Sequence, residues 1–248
     1  MPKNKPKYAI AVGIFLKSEL NDISLDEELN ELEGLATTLG IQFKEKIYSK
    51  INKINASTYI GSGKLKEIME TANFHHCDTI IFNEEISPNH YKNIKKINKK
   101  INILDRTSLI LNIFTKHAKT KESRIQVELA NLQYMLPRLT RLWTHLERQM
   151  GGVGTRGGPG ETQIEIDRRL IRGKIKKLKF DLNKIEKQKI ERSKGRSNSI
   201  KVSLVGYTNS GKSTLMRSLT NSKVLVKNQL FSTLDTTTKS LFINSNIK

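Results

Sequence analysis

The chain carries a single cysteine, Cys77, in 248 residues. One thiol cannot close an internal disulfide, so a reducing cytoplasm is the setting that fits. Long apolar runs are also missing. None approaches the roughly 18 residues of a membrane-crossing helix, and the start MPKNKPKYAIAVGIFLKSEL turns polar too early for a secretory signal. Metal ligands do not cluster convincingly: His75, His76 and Cys77 adjoin, but consecutive side chains of an extended segment alternate sides, and no second group follows. Acidic side chains are scarce. Forty-four Lys plus Arg face 24 Asp plus Glu, for a formal charge of +20. This balance favours an anionic partner, most simply nucleic acid, with an acidic membrane surface as the competing explanation. Part of the charge is ordinary, because Lys92 to Lys100 reads as a solvated helix face. With 36% hydrophobic residues the chain has the apolar material for a core and room for one or two domains.

What is present begins with alternating strand and helix patterns. Tyr8 to Leu16 suits a buried strand, and Ser24 with Glu27 forms a capping box that opens a helix. Leu25, Leu29, Leu32, Leu35 and Leu39 recur at helical spacing, and Gly40 supplies the stop. Strands follow over 41–48, 78–83 and 101–104, with helices over 64–74 and from Ser87-Pro88 to Lys100. The expected fold class is therefore α/β: a small N-terminal α/β domain over 1–117, with about four strands in a largely parallel sheet covered by helices. The stretch Tyr59-Ile60-Gly61-Ser62-Gly63-Lys64 looks like a phosphate loop but fails the spacing test. It reads first as a glycine turn opening the next helix, with an RNA or adenine-nucleotide contact as the alternative.

Residues 118–192 read as a long antiparallel helical hairpin. Arg124 to Gln149 carries Val127, Leu129, Leu132, Leu136, Leu139, Leu142 and Leu146 as an apolar stripe, with Pro137 bending the helix. Glu161 to Arg192 carries a second stripe of Ile164, Ile171, Ile175, Leu178, Leu182 and Ile185. The Gly-rich loop 150–160 joins them, and its length exceeds the roughly 2–5 residues that a plain helix hairpin needs. It is either a connector or a place where backbone can press against RNA. Residues 193–199 (SKGRSNS) have linker composition.

Beyond the linker stands GYTNSGKST, residues 206–214, between the apolar run Ile200 to Val205 and a helix-forming segment. Gly206 and Gly211 let consecutive backbone N–H groups face one anion, Lys212 can reach the terminal phosphates, and the Ser213 hydroxyl is placed to hold Mg²⁺. Strand, loop, Lys-Ser and helix coincide, so nucleoside triphosphate binding is expected. Residues 200–248 then form a partial P-loop domain containing the phosphate loop and little more.

The stretch RIQVELANLQYMLPRLTRLWTHLERQMGGVGTRGGPGETQIEIDRRLIRGKI, from Arg124 to Ile175, together with GYTNSGKSTL and LFSTLDTTTK, resembles the HflX family of ribosome-associated GTPases. YIGSGKLKEI and ILDRTSLILNIF match it too, so the likeness runs along nearly the whole chain. It implies an α/β domain, a helical hairpin and the beginning of a P-loop GTPase domain, with GTP and Mg²⁺ as ligands. The implied partners are the large ribosomal subunit and its rRNA, and the implied activity is GTP hydrolysis coupled to splitting or rescuing stalled ribosomes. A cytoplasmic monomer is expected, with peripheral attachment to a membrane as the alternative location.

Matched residue by residue, the nucleotide-binding set is Gly206, Tyr207, Thr208, Asn209, Ser210, Gly211, Lys212, Ser213 and Thr214, then the switch I segment Phe231, Ser232, Thr233, Leu234 and Asp235. Ser213 and Thr233 are the implied metal ligands. Thr236 departs from the proline usual there. The implied RNA contacts are Arg156, Gly157, Gly158, Arg168 and Arg169, and no catalytic side chain is assigned. The family's γ-phosphate-sensing and guanine-selecting segments do not occur in this sequence, which leads to the expectation of a truncated member with impaired hydrolysis. Two alternatives follow: a non-catalytic RNA-binding or ribosome-binding module with a remnant P-loop, and an ATP-using enzyme of another P-loop class.

Overall fold

Valine, isoleucine and alanine fill the first strand so densely that it fits only the middle of a sheet covered on both faces. The computed structural model, which describes residues 7–17, 22–139, 163–193, 202–207, 210–220 and 237–239, places it there. Strand β1 (Lys7–Leu16) is flanked by β2 (Ile41–Ile51) and β3 (Thr79–Phe82), and β4 (Asn102–Asp105) follows on the β3 side. The order is β2-β1-β3-β4 and every pairing is parallel. Helices α1 (Asp22–Thr38), α2 (Ser62–Phe74) and α3 (Pro88–Ile97) make the crossovers, and α4 (Arg106–His117) follows the last strand.

Alternation along β1 divides the core in two. Ile10, Val12 and Ile14 meet Leu65, Ile68 and Ala72 of α2 and Ile94 of α3. Ala9 and Ala11 meet Leu29, Leu32 and Leu35 of α1 and Leu109 and Ile113 of α4. The small alanines let α1 and α4 approach the sheet closely, whereas the other face needs branched bulk. Strand β2 serves both faces by a register shift: Ala9 lies opposite Phe43 and Ile10 opposite Glu45, which leaves Lys44 as the extra residue. A one-residue bulge exchanges inward and outward positions. Ile41 and Phe43 accordingly pack with α1 and α4, while Ile47 and Ile51 pack with α2 and α3.

Local signals account for most boundaries. Gly40 ends α1 in the left-handed region at φ +79°, a conformation that a side chain makes costly. The Ser87 side chain accepts from His90 N with Pro88 at the first helical turn, and Asp105 caps α4 through a reciprocal bond with Ser108. Two expectations need correction. Helix α1 begins at Asp22, two residues before the expected opening at Ser24. The helix expected from Arg124 to Gln149 runs as α5 (Lys121–Met135) and tightens into a 3₁₀ turn at Leu136–Arg138. Pro137 lacks the N–H that would continue the α-helix, so the regular turns give way to a tighter one at the proline, and residues 140–149 lie outside the described residues.

Helix α6 (Gln163–Ser193) returns along α5. Ile125, Leu132, Leu139, Ile171 and Leu178 form their buried seam, with Ile175, Leu182 and Ile185 beside it. Ion pairs at the rim run in opposite senses, Lys174 to Glu128 at 2.6 Å and Lys189 to Glu122. The two helices are therefore antiparallel. Leu142, Leu146 and the Gly-rich loop 150–160 lie outside the described residues.

Candidate nucleotide site and the surfaces beside it

Lys212 opens α7 (Lys212–Thr220), the last described helix. Gly211 before it has φ +81°, so the chain turns into the helix through a conformation that glycine adopts without strain. Leu215 N donates to Gly211 O at 2.9 Å, which closes the first turn. Gly206 is constrained for a different reason. A Cβ added there would lie 3.1 Å from Ser210 Oγ and 3.7 Å from Lys212 Cδ, so the lysine stem packs across a space that a side chain would crowd. The Lys212 ammonium donates to the Tyr207 carbonyl and to Ser210 Oγ, the latter at 3.3 Å. Both acceptors are neutral, so an anion entering the loop would offer this cation a stronger partner. Ser213 is half-buried in the same turn.

Other expected parts of this site are differently placed. The strand expected over 200–205 is not formed at its described residues: Val202 to Val205 pair with no other described segment, and Val202 and Val205 are 84% and 91% exposed. A strand exists only as half of a ladder, and none of the described residues supplies the other half. Helix α7 likewise buries no residue. Thr208, Asn209, Phe231, Ser232, Thr233, Leu234 and Asp235 lie outside the described residues, as do Arg156, Gly157 and Gly158.

Arg168 and Arg169 are described, and lie on α6. With Arg172, Gly173, Lys176 and Glu165 they line a shallow open hollow. Four cations in three helical turns give this surface a strongly positive potential.

Sequence reasoning missed two polar constellations. Asn83, 3% exposed, follows β3 and bonds β1 through its side chain: Ile14 N donates to its Oδ1 at 2.8 Å, and its Nδ2 donates to Ile14 O at 3.3 Å and Glu28 Oε2 at 3.1 Å. The amide thus extends the β1–β3 ladder by one step where the strand order changes direction. The second constellation joins the sheet to the hairpin. Asp105 and Arg138 are 2% and 4% exposed, and their charged groups lie 3.7 Å apart. Tyr134 donates to Asp105 Oδ2 at 2.7 Å, and Arg138 donates to Ile86 O at 2.7 Å and Glu85 Oε1 at 3.1 Å. A lone Arg in a basic stretch gives no sign of such burial.

His75 and Cys77 are separately engaged. His75 lies 2.9 Å from Glu45, and Cys77 Sγ faces the His75 carbonyl at 3.7 Å. No three potential ligands gather among the described residues. In the other glycine stretch, Gly61 precedes α2 as its cap residue and Lys64 pairs with Glu67 at 2.6 Å. Among the described residues no helix is long and apolar enough to cross a membrane.

A parallel α/β unit, an antiparallel helix pair and a glycine loop turning into a helix through Lys-Ser together define a P-loop protein. Comparison with known proteins gives the family. Residues 26–115 match the description "GTP-binding GTPase N-terminal", residues 117–196 "GTP-binding GTPase Middle Region" and residues 201–248 "50S ribosome-binding GTPase". The chain is 46% identical over 236 residues to GTPase HflX of Flavobacterium psychrophilum, covering 95% of this chain and 56% of that protein. It is 45% identical over 216 residues to GTPase HflX of Magnetococcus marinus, covering 86% and 50%. Its fold is similar to the crystal structure of SsGBP in complex with GDP, with TM-score 0.53 and 25% identity over 88% of this chain and 59% of that one. The chain belongs to the HflX GTPase family, and spans about half the length of the curated relatives it matches.

Proposed function

We propose that this protein binds GTP with Mg²⁺ at 206–214 and associates with the large ribosomal subunit, which it splits or rescues from stalling in a GTP-dependent cycle. The single observation that carries the nucleotide part is the Lys212 ammonium folded over the glycine loop onto neutral acceptors. Lys212 would hold the β and γ phosphates, Ser213 would be one metal ligand, and the switch threonine Thr233 the other. Bound Mg²⁺ would neutralise charge developing on the phosphate oxygens. Thr208, Asn209, Ser210 and Thr214 complete the loop, and Phe231, Ser232, Leu234 and Asp235 complete switch I. The family match favours guanine, and SsGBP was solved with GDP.

The working division is an α/β domain over 1–117, a hairpin over 118–192, a linker over 193–199 and a GTPase segment over 200–248. Ribosome contact falls to the hairpin: Arg168 and Arg169 as phosphate partners on α6, and Arg156, Gly157 and Gly158 on the loop. A cytoplasmic location follows from that partner. Titration of the purified chain with fluorescent GDP and GTP in Mg²⁺, then competition with unlabelled ATP, tests the nucleotide reading. Displacement by GTP and not by ATP is the expected result, and no saturable binding would refute it. The exposed Val202 and Val205 and the absence of any buried residue on α7 favour one second reading, a ribosome-binding module with little or no hydrolysis. Its ribosome affinity would be the same with GDP and with a non-hydrolysable GTP analogue.

A further inference from the structure

Tyr207 lies inside the phosphate loop, yet its side chain is engaged by the N-terminal α/β unit. Its hydroxyl donates to Glu31 Oε1 at 2.8 Å, across 176 residues of sequence. Glu31 is on α1 and is itself held by Arg106, at the start of α4, at 2.8 Å. Burial alone would raise the Glu31 pKa, but the hydrogen bonds from Arg106 and Tyr207 outweigh it and leave the carboxyl below its ordinary value. Glu31 is therefore an anion with a fixed direction. The main chain of the same tyrosine supplies the carbonyl that Lys212 binds. One residue thus joins two contacts: outward to Glu31 through its ring, and inward to the P-loop cation through its backbone.

We propose that Glu31, oriented by Arg106, is a positioning residue for the nucleotide site, holding Tyr207 so that its carbonyl occupies the Lys212 ammonium. The inference rests on the nucleotide reading of 206–214 and adds to it a residue from another part of the chain. A phosphate can take the ammonium only when the Tyr207 carbonyl yields it, and the tether to Glu31 opposes that movement. The closed loop and the bound nucleotide then compete for one cation. By linkage, whatever the tether costs nucleotide binding, nucleotide binding costs the tether by the same factor. Contact between the loop and α1 would in this way depend on whether nucleotide is bound, with no contact between nucleotide and α1.

The test is the affinity of fluorescent GDP for the full chain and four variants, Tyr207→Phe, Glu31→Gln, the double variant and Glu33→Gln. Glu33 is a neighbouring carboxylate paired with Lys46 at 2.6 Å, and its variant serves as control. Each single variant at the tether is expected to bind about three- to tenfold more tightly, the range that one hydrogen bond supplies. The double variant should gain no more than either single one, because both remove the same bond. Additive gains, weaker binding in Glu31→Gln, or an equal change in Glu33→Gln would overturn the tether while leaving nucleotide binding intact. Absence of GDP binding in every form would instead overturn the nucleotide reading, and the inference with it.

Discussion

The Tyr134 hydroxyl donates to the buried Asp105 carboxylate at 2.7 Å, which fixes the hairpin's first helix to the last strand of the sheet. Asp105 also accepts from Ile86 N at 3.1 Å and Ser108 N at 2.8 Å, so the carboxylate is surrounded by donors. The Arg138 guanidinium lies 3.6 Å above the Tyr134 ring. This junction, more than the connecting residues 118–120, sets the direction in which the hairpin leaves the α/β unit.

Removing one member of that junction strands the others. Arg138→Met is expected to lower stability by about 3–5 kcal/mol, because Asp105 would keep a buried charge without its cation. Tyr134→Phe, which deletes one bond to that charge, is expected to cost about 1–3 kcal/mol. Urea denaturation followed by far-ultraviolet circular dichroism measures both, and a change below about 0.5 kcal/mol for Arg138→Met would show the junction to be incidental.

The same tyrosine gives a pH prediction. Burial first, and then the Asp105 carboxylate, push the Tyr134 phenol far above its ordinary range. A raised folded-state pKa makes its stabilisation complete below the unfolded value of about 10, with loss as pH rises beyond it. Stability should therefore fall above about pH 10, and the Tyr134→Phe chain should lose less over that interval. Equal alkaline slopes for the two proteins would contradict this.

Asn83 offers a sharper substitution than alanine. Asn83→Asp keeps the acceptor toward Ile14 N but removes both donated bonds, and sets a second carboxylate against Glu28. A loss of about 1–3 kcal/mol is expected from the unsatisfied groups alone. If thermal melting of Asn83→Asp matched the parent chain, the amide would not be a rung of the ladder.

Cys77 is 5% exposed, and burial, the largest influence on it, raises its thiol pKa. The thiolate is the reactive form, so labelling by a disulfide reagent near neutral pH should be slow in the folded chain and fast in urea. Equal rates would mean that this part of the core opens readily.

How much was legible follows from where each signal resides. The four parallel strands could be read because β1 and β3 are uninterrupted apolar runs, and α1 because Leu29, Leu32 and Leu35 share one face. The bulge at Lys44 was not legible: residues 41–48 look like simple alternation, and only pairing with β1 shows that the faces exchange. Asn83 and Arg138 were missed for the same reason, since their partners lie 69 and 52 residues away. The phosphate loop was readable because its geometry is local to nine residues. Its tether to Glu31 is not local. The strand before the loop is not formed at its described residues, because an apolar run expresses a need for a partner and cannot supply one.

Within the loop, Lys212→Ala should abolish detectable binding of fluorescent GTP, and Ser213→Ala should remove the dependence of GTP affinity on Mg²⁺. Isothermal titration with and without Mg²⁺ separates the two roles. Unchanged affinity in Lys212→Ala would take the ammonium out of the site.

The claim that joins the basic hairpin to the nucleotide loop is association with the ribosome. Sedimentation of the chain with purified large subunits through a sucrose cushion tests it most directly, in moderate salt, with GDP or a non-hydrolysable GTP analogue present. Co-sedimentation that weakens as salt rises, and that differs between the two nucleotides, is the predicted result. A chain that stays in the supernatant with either nucleotide would contradict it.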